Sequence, residues 1–134
     1  MNQIIEQEMK VLWADFDVYD VDQKLASFER LKSAAKEEDL PRLIELLKSE
    51  KNDFWVRELL SEPICDLGGA KYLDDLFDAL ELNKQEGHDN DLFLHFLTEV
   101  AETDTEDCRQ SLMNLLQIPE YKHKRMAEWL LTFC

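Results

Sequence analysis

Apolar side chains recur every three or four positions along nearly the whole chain, the periodicity of amphipathic helices and not of strands. Ile5, Met9, Leu12 and Phe16 mark a short N-terminal helix. Asp15 to Asp22 then alternates acids with Phe16, Val18 and Val21, which reads as an extended connection or a brief strand. Asp20 followed by Gln23 suggests a capping box, in which cap and N3 side chains satisfy each other's backbone amides. It opens a helix from about Val21 to Lys36 with Leu25, Phe28 and Leu31 on one face. Asp39, with Pro41 in the first turn, starts the next helix, carrying Leu40, Leu43, Ile44 and Leu47.

Asn52 or Asp53 caps a third helix bearing Val56, Leu59, Leu60, Ile64 and Leu67, which Gly68-Gly69 ends. The fourth carries Tyr72, Leu73, Leu76, Phe77 and Leu80 and stops before Gly87. Asp89 begins a fifth through Leu92, Phe96, Leu97 and Val100. Thr103 and Glu106 suggest another capping box ahead of Cys108, Leu112, Met113, Leu115 and Leu116, and Pro119 opens a last helix with Met126, Trp129, Leu130 and Phe133.

These helices fall into pairs that superimpose. A shift of 36 residues places Val56 on Leu92, Leu60 on Phe96, Ile64 on Val100, Tyr72 on Cys108, Leu76 on Leu112 and Leu80 on Leu116, with Asp53 on Asp89. A shift of 33 the other way places Leu73 on Leu40, Leu76 on Leu43, Phe77 on Ile44 and Leu80 on Leu47. A two-helix unit with such a period suits an α-solenoid, because a lone hairpin cannot bury both sides of its apolar stripe and must stack on a neighbour. The expectation is one all-α domain over residues 1–134: a helix and connection in 1–19, about three stacked hairpins in 20–117 and a terminal helix in 118–134. An irregular helical bundle, in which leucine-rich helices align by chance, is the other arrangement compatible with the pattern.

Composition narrows the function classes. Three glycines and three prolines in 134 residues leave little material for an all-β fold of many tight turns. No apolar stretch approaches the roughly 20 residues of a membrane span, and the first residues lack the basic-then-apolar order of a secretion signal, so a cytoplasmic protein is expected. Cys65, Cys108 and Cys134 are odd in number and widely spaced, which suggests reduced thiols instead of disulfides or a zinc knuckle. Thirty acids against fifteen bases give a net charge of −15, the wrong sign for a protein that must displace counterions from phosphate, so nucleic acid is not an expected direct partner.

The charge is concentrated. Residues 1–52 carry twelve acids and eight bases, residues 53–107 sixteen acids and three bases, and residues 108–134 two acids and four bases. On the fourth helix Asp74, Asp75, Asp78 and Glu81 lie opposite the apolar stripe, and Asp66, Glu99, Glu102, Asp104, Glu106 and Asp107 sit on adjoining helices or turns. Like charges so crowded cost stability unless a cation lies against them, which points to a basic partner; a plain solubilising surface is the alternative. Trp55 offers either an anchor for that partner or ordinary helix packing. Lys122, Lys124 and Arg125, the one basic cluster, open the last helix and are placed to pair with acids of the preceding hairpin or of a partner.

Asp53-Phe54-Trp55-Val56-Arg57 through Leu67-Gly68 resembles the first helix of a HEAT-like repeat, with an Asp three residues before a Val-Arg pair, an apolar stripe, a bending proline at Pro63 and a Leu-Gly end. The next unit keeps Asp89 but has Phe93 in place of the arginine and lacks the Leu-Gly end. The resemblance thus spans 20–117 as an architecture and 53–68 as a motif. It implies stacked hairpins and partner binding on a helical face, and it transfers no catalytic residue.

No catalytic or cofactor pattern emerges. HExxH is absent, Gly68-Gly69 follows a helix and so is no phosphate loop, and His88, Asp89 and Asp91 read as cap and turn residues more simply than as metal ligands. The expectation is a non-enzymatic binding protein without metal or cofactor. In shape and charge it resembles bacterial immunity proteins, which neutralise a cognate toxin, often a cationic nuclease. A HEAT-like adaptor binding a peptide or an enzyme subunit is the alternative, and an enzyme resembling HEAT-like lyases is a third class that would need a polar pocket with converging ionisable groups.

Overall fold

A computed structural model describes residues 2–134. Regular structure among them is helical throughout, with no strand: α1 (Gln3–Trp13), α2 (Val21–Ala34), α3 (Leu40–Leu47), α4 (Phe54–Gly68), α5 (Leu73–Gln85), α6 (Asp91–Thr103), α7 (Thr105–Leu116) and α8 (Lys124–Leu131), with 3-10 turns at Glu37–Asp39 and Gly69–Tyr72. None of these helices is long and apolar enough to cross a membrane.

Local chemistry explains several boundaries. Asp20 accepts from the Gln23 amide at 2.8 Å while the Gln23 side chain accepts from the Asp20 amide at 2.9 Å, completing the box that opens α2. Asp53 caps α4 through the Val56 amide at 2.9 Å. Gly69 ends α4 at φ 53, a left-handed conformation that disfavours a side chain. A Cβ there would also lie 2.5 Å from Asp104 Oδ2, the oxygen that accepts from the Ala70 amide at 3.1 Å.

Four expectations from the sequence are corrected. The connection after α1 is neither extended nor a strand: Val18 donates to the Asp15 carbonyl at 2.9 Å, closing a turn that leaves Phe16 and Val18 in solvent. The first stripe of α2 is shifted, because Leu25 is exposed while Lys24 is buried. The Lys24 ammonium donates to the carbonyls of Leu12 and Ala14 at the end of α1, where free carbonyls and the helix dipole attract a cation. Thr103 and Glu106 form no capping box; the Thr103 hydroxyl donates back to Glu99 O at 2.7 Å as the last residue of α6, and the chain turns at Asp104. The last helix begins at Lys124, five residues after Pro119, because Glu120 adopts φ 54 and interrupts any helical run from the proline.

One contiguous core runs from Ile5 on α1 to Leu130 on α8. Helix α2 packs chiefly on α1, α3 on α4, α4 on both α5 and α6, α5 on α7, and α8 on α7. Three of the six apolar pairs matched by the shift of 36 share a fate: Leu60 and Phe96, Ile64 and Val100, and Leu76 and Leu112 are all buried. At the start of the unit the register changes. Val56 is buried but Leu92 is exposed, and the inner position goes instead to the pair Arg57 and Phe93.

Arg57 is tolerated there because α5 supplies acceptors: its guanidinium reaches Asn83 Oδ1 at 3.0 Å and Glu86 at 2.6 Å. Thirty-six residues on, those acceptors become Pro119 and Lys122. An arginine at 93 would find no carboxylate at that place, and a buried unpaired charge is costly, so the phenylalanine fits the local physics.

Candidate functional site

The carboxylates expected to form an acidic wall on α5 are bound within the chain. Asp74 accepts from the Tyr121 hydroxyl at 2.6 Å. Asp78 accepts from His123 Nε2 at 2.7 Å and from the Lys122 ammonium at 2.8 Å. Asp75 pairs with Lys48, which also lies 4.0 Å from Asp78. Burial pushes the Asp78 carboxyl up, but the bonds from His123 and Lys122 outweigh it and hold it below the usual range. Tyr121 is pushed up strongly by burial and by the Asp74 carboxylate it faces. Asp74, Asp75 and Asp78 therefore fasten the segment before α8, and the end of α3, to α5. Glu81, farther along the helix, is half-buried and accepts only from Gln85 at 3.4 Å.

A second set of acids lacks that neutralisation. Glu58, Glu62 and Asp66 follow one another at four-residue spacing on α4, so they share one helical face and repel. Opposite them stand Asp89 and Asp91 at the start of α6, and Glu99 further along it. Glu58 is pushed up by burial and then by Asp89 and Asp91; Asp66 is pushed up by burial and then by Glu62 and Glu99, with Lys32 offsetting only part. Lys32 pairs with Glu62 at 3.3 Å, and His95 sits 2.7 Å from Glu99. Glu58, Asp66, Asp89, Asp91 and Glu102 form no ion pair among the described residues.

Between the helices lies an open groove of about 440 Å³, with Asp66, Glu99 and Asp104 on its rim and Cys65, Phe96 and Val100 beneath. Burial pushes the Cys65 thiol up, and the Cys108 thiol up to about 12, so both stay protonated at neutral pH and are poor nucleophiles. What the groove offers a ligand is negative charge with a narrow apolar floor.

The other residues singled out from sequence scatter around this face. Glu102 and Asp107 are exposed; Glu106 is exposed but pairs with Arg109 at 2.7 Å; Asp104 is half-buried and spends one oxygen on Ala70. Trp55 is half-buried, packs against the core and meets Phe16 at 5.8 Å between ring centroids. His88 stacks on Phe54 at 3.6 Å, away from any ligand set. Sequence reasoning passed over Glu58 and Glu62, although their spacing with Asp66 was a visible signal, and passed over His123, whose contacts 45 residues away leave no local one.

Comparison of the chain with protein-family models, with curated proteins and with solved structures returns no match.

Proposed function

We propose that the protein is a HEAT-like stack of helical hairpins that binds a basic protein through the acidic face of α4 and α6, acting as an inhibitor of the immunity type. The stacked arrangement is supported for the hairpins α4/α5 and α6/α7, where α4 packs on α6 and α5 on α7, first helix on first and second on second; ahead of them α2 packs on α1 and α3 on α4. The observation that carries the binding role is the unpaired, mutually repelling set Glu58, Asp66, Asp89 and Asp91 with Glu62 and Glu99 beside it. On α5 and between α1, α2 and α3, by contrast, Asp75, Asp78, Glu6 and Glu8 are each matched by an internal cation. A surface left unmatched in one place gains most when a partner supplies the missing charge.

Such a face speeds encounter by long-range attraction, and the apolar floor of the groove provides the short-range contact that slows release. A cationic toxin domain such as a nuclease has the complementary surface. The adaptor reading expects an apolar groove and little salt dependence; an acid-rimmed groove favours the inhibitor reading. The protein is assigned no catalytic residue, no cofactor and no direct nucleic-acid or membrane partner.

Affinity capture from a cell lysate at low ionic strength, followed by elution with salt, tests the role. The proposal expects a basic protein that elutes as salt rises and is not retained by a variant carrying Glu58→Lys, Asp66→Lys and Glu99→Lys. A partner that resists salt and is retained by that variant supports the adaptor instead.

A further inference from the structure

The geometry points to a divalent-metal site of the zinc class formed by Asp74, Asp78 and His123. One ligand atom from each residue lies within 4.8 Å of the others. Asp74 and Asp78 stand four residues apart on α5 and therefore project side by side, while His123 arrives from the turn before α8. One imidazole and two carboxylates are the borderline donor set that zinc and its neighbours accept, and three protein ligands leave a position for water. Tetrahedral zinc separates its ligand atoms by about 3.3 Å.

Three features set this cluster apart from a chance gathering of acids. The imidazole is buried, with 6% of its side chain exposed, and is held edge-on by Phe77 and Tyr121 at centroid distances of 6.0 and 5.8 Å, which fixes its direction. Tyr121 donates to Asp74 at 2.6 Å, the outer-sphere bond that orients a ligating carboxylate. The Lys122 ammonium, on a side chain 59% exposed, already occupies the cation position beside Asp78. A metal ion replaces that mobile ammonium and the proton that His123 Nε2 shares with Asp78, while Asp75 stays with Lys48. Metal binding then ties α8 to α5 more firmly than the hydrogen bonds alone.

The test is competition for Zn²⁺ between the full chain and a chromogenic chelator, with thermal unfolding measured in parallel. The expected result is saturable one-to-one binding that raises the melting temperature. Asp78→Asn and His123→Gln should each weaken it by at least about tenfold, and Tyr121→Phe by about tenfold. Lys122→Ala should tighten it, since the competing cation is gone; a simple ion-pair latch predicts only a looser α8 there. His95→Gln and Cys134→Ser should bind as the parent does. If His123→Gln loses helicity, Asp74→Asn at a half-buried carboxylate carries the same expectation. No saturable binding overturns the site, as does affinity unchanged in both aspartate variants or abolished by Cys134→Ser or His95→Gln.

Discussion

Asp66 on α4 and Glu99 on α6 line one open groove, and burial, Glu62 and Glu99 together disfavour the charge on Asp66, with Lys32 offsetting only part of it. Folding holds these carboxylates together, and the unfolded chain lets them part. The face is thus a place where the folded state gives up stability that a cationic partner can restore.

The first expectation concerns stability without any partner. Glu58 and Asp66 have folded-state values raised above their ordinary 4.5 and 3.8, so the folded state binds their protons more tightly than the unfolded one. Their contribution therefore grows as pH falls from neutral through the raised values and is complete below the ordinary ones. Glu58→Gln and Asp66→Asn should each raise the denaturation midpoint at pH 7, and the gain should shrink as pH falls and vanish only below the ordinary values, at about pH 3. Chemical denaturation at the two pH values measures this.

Glu6, Glu8 and Asp78 carry the opposite sign. The hydrogen bond from Arg42 to Glu6 and that from Arg30 to Glu8 hold both carboxyls below the usual range, as His123 and Lys122 do for Asp78 against its burial. Their stabilisation is present above the ordinary carboxylate values and is lost as pH falls through the depressed ones. Acid unfolding should therefore begin below about pH 4. Glu8→Gln should flatten that limb in a pH titration followed by circular dichroism.

Gly69→Ala should destabilise the protein by about 1 kcal/mol or more, because φ 53 strains any L side chain and the new Cβ meets Asp104 Oδ2. Asp104→Ala relieves the clash while removing the bond to Ala70, so the double variant should recover part of the loss. Thermal melts of the two single variants and the pair decide it.

Lys24→Met keeps the buried stem but removes the ammonium from the Leu12 and Ala14 carbonyls. Leaving buried acceptors unpaired costs about 1–3 kcal/mol, so the variant should unfold at lower denaturant despite its greater hydrophobicity. Equal or higher stability would mean that those carbonyls are satisfied by water.

Much of the helical layout was legible in the sequence because it rests on local rules. Asp20 with Gln23, Asp53 and Gly69 act within a few residues, and the three-to-four spacing of Leu60, Ile64, Leu76 and Leu112 survives intact as buried core. Boundaries failed where a tertiary contact intervened. Lys24 reads as surface by composition and is buried because the end of α1 lies over it, and the helix expected at Pro119 is delayed by the turn at Glu120. The acidic face was harder to read. Charge counting found the middle of the chain, but only the fold brings Lys48, Lys122 and His123 onto α5 and leaves Glu58 and Asp66 without such partners.

The central claim is tested most directly by adding an oligolysine peptide to the isotope-labelled protein and mapping which backbone and carboxyl resonances move. The account predicts changes gathered at Glu58, Glu62, Asp66, Asp89, Asp91 and Glu99, lost on adding salt, with Asp74, Asp75 and Asp78 nearly still. Changes centred on α5, or spread evenly over all helices, would contradict it.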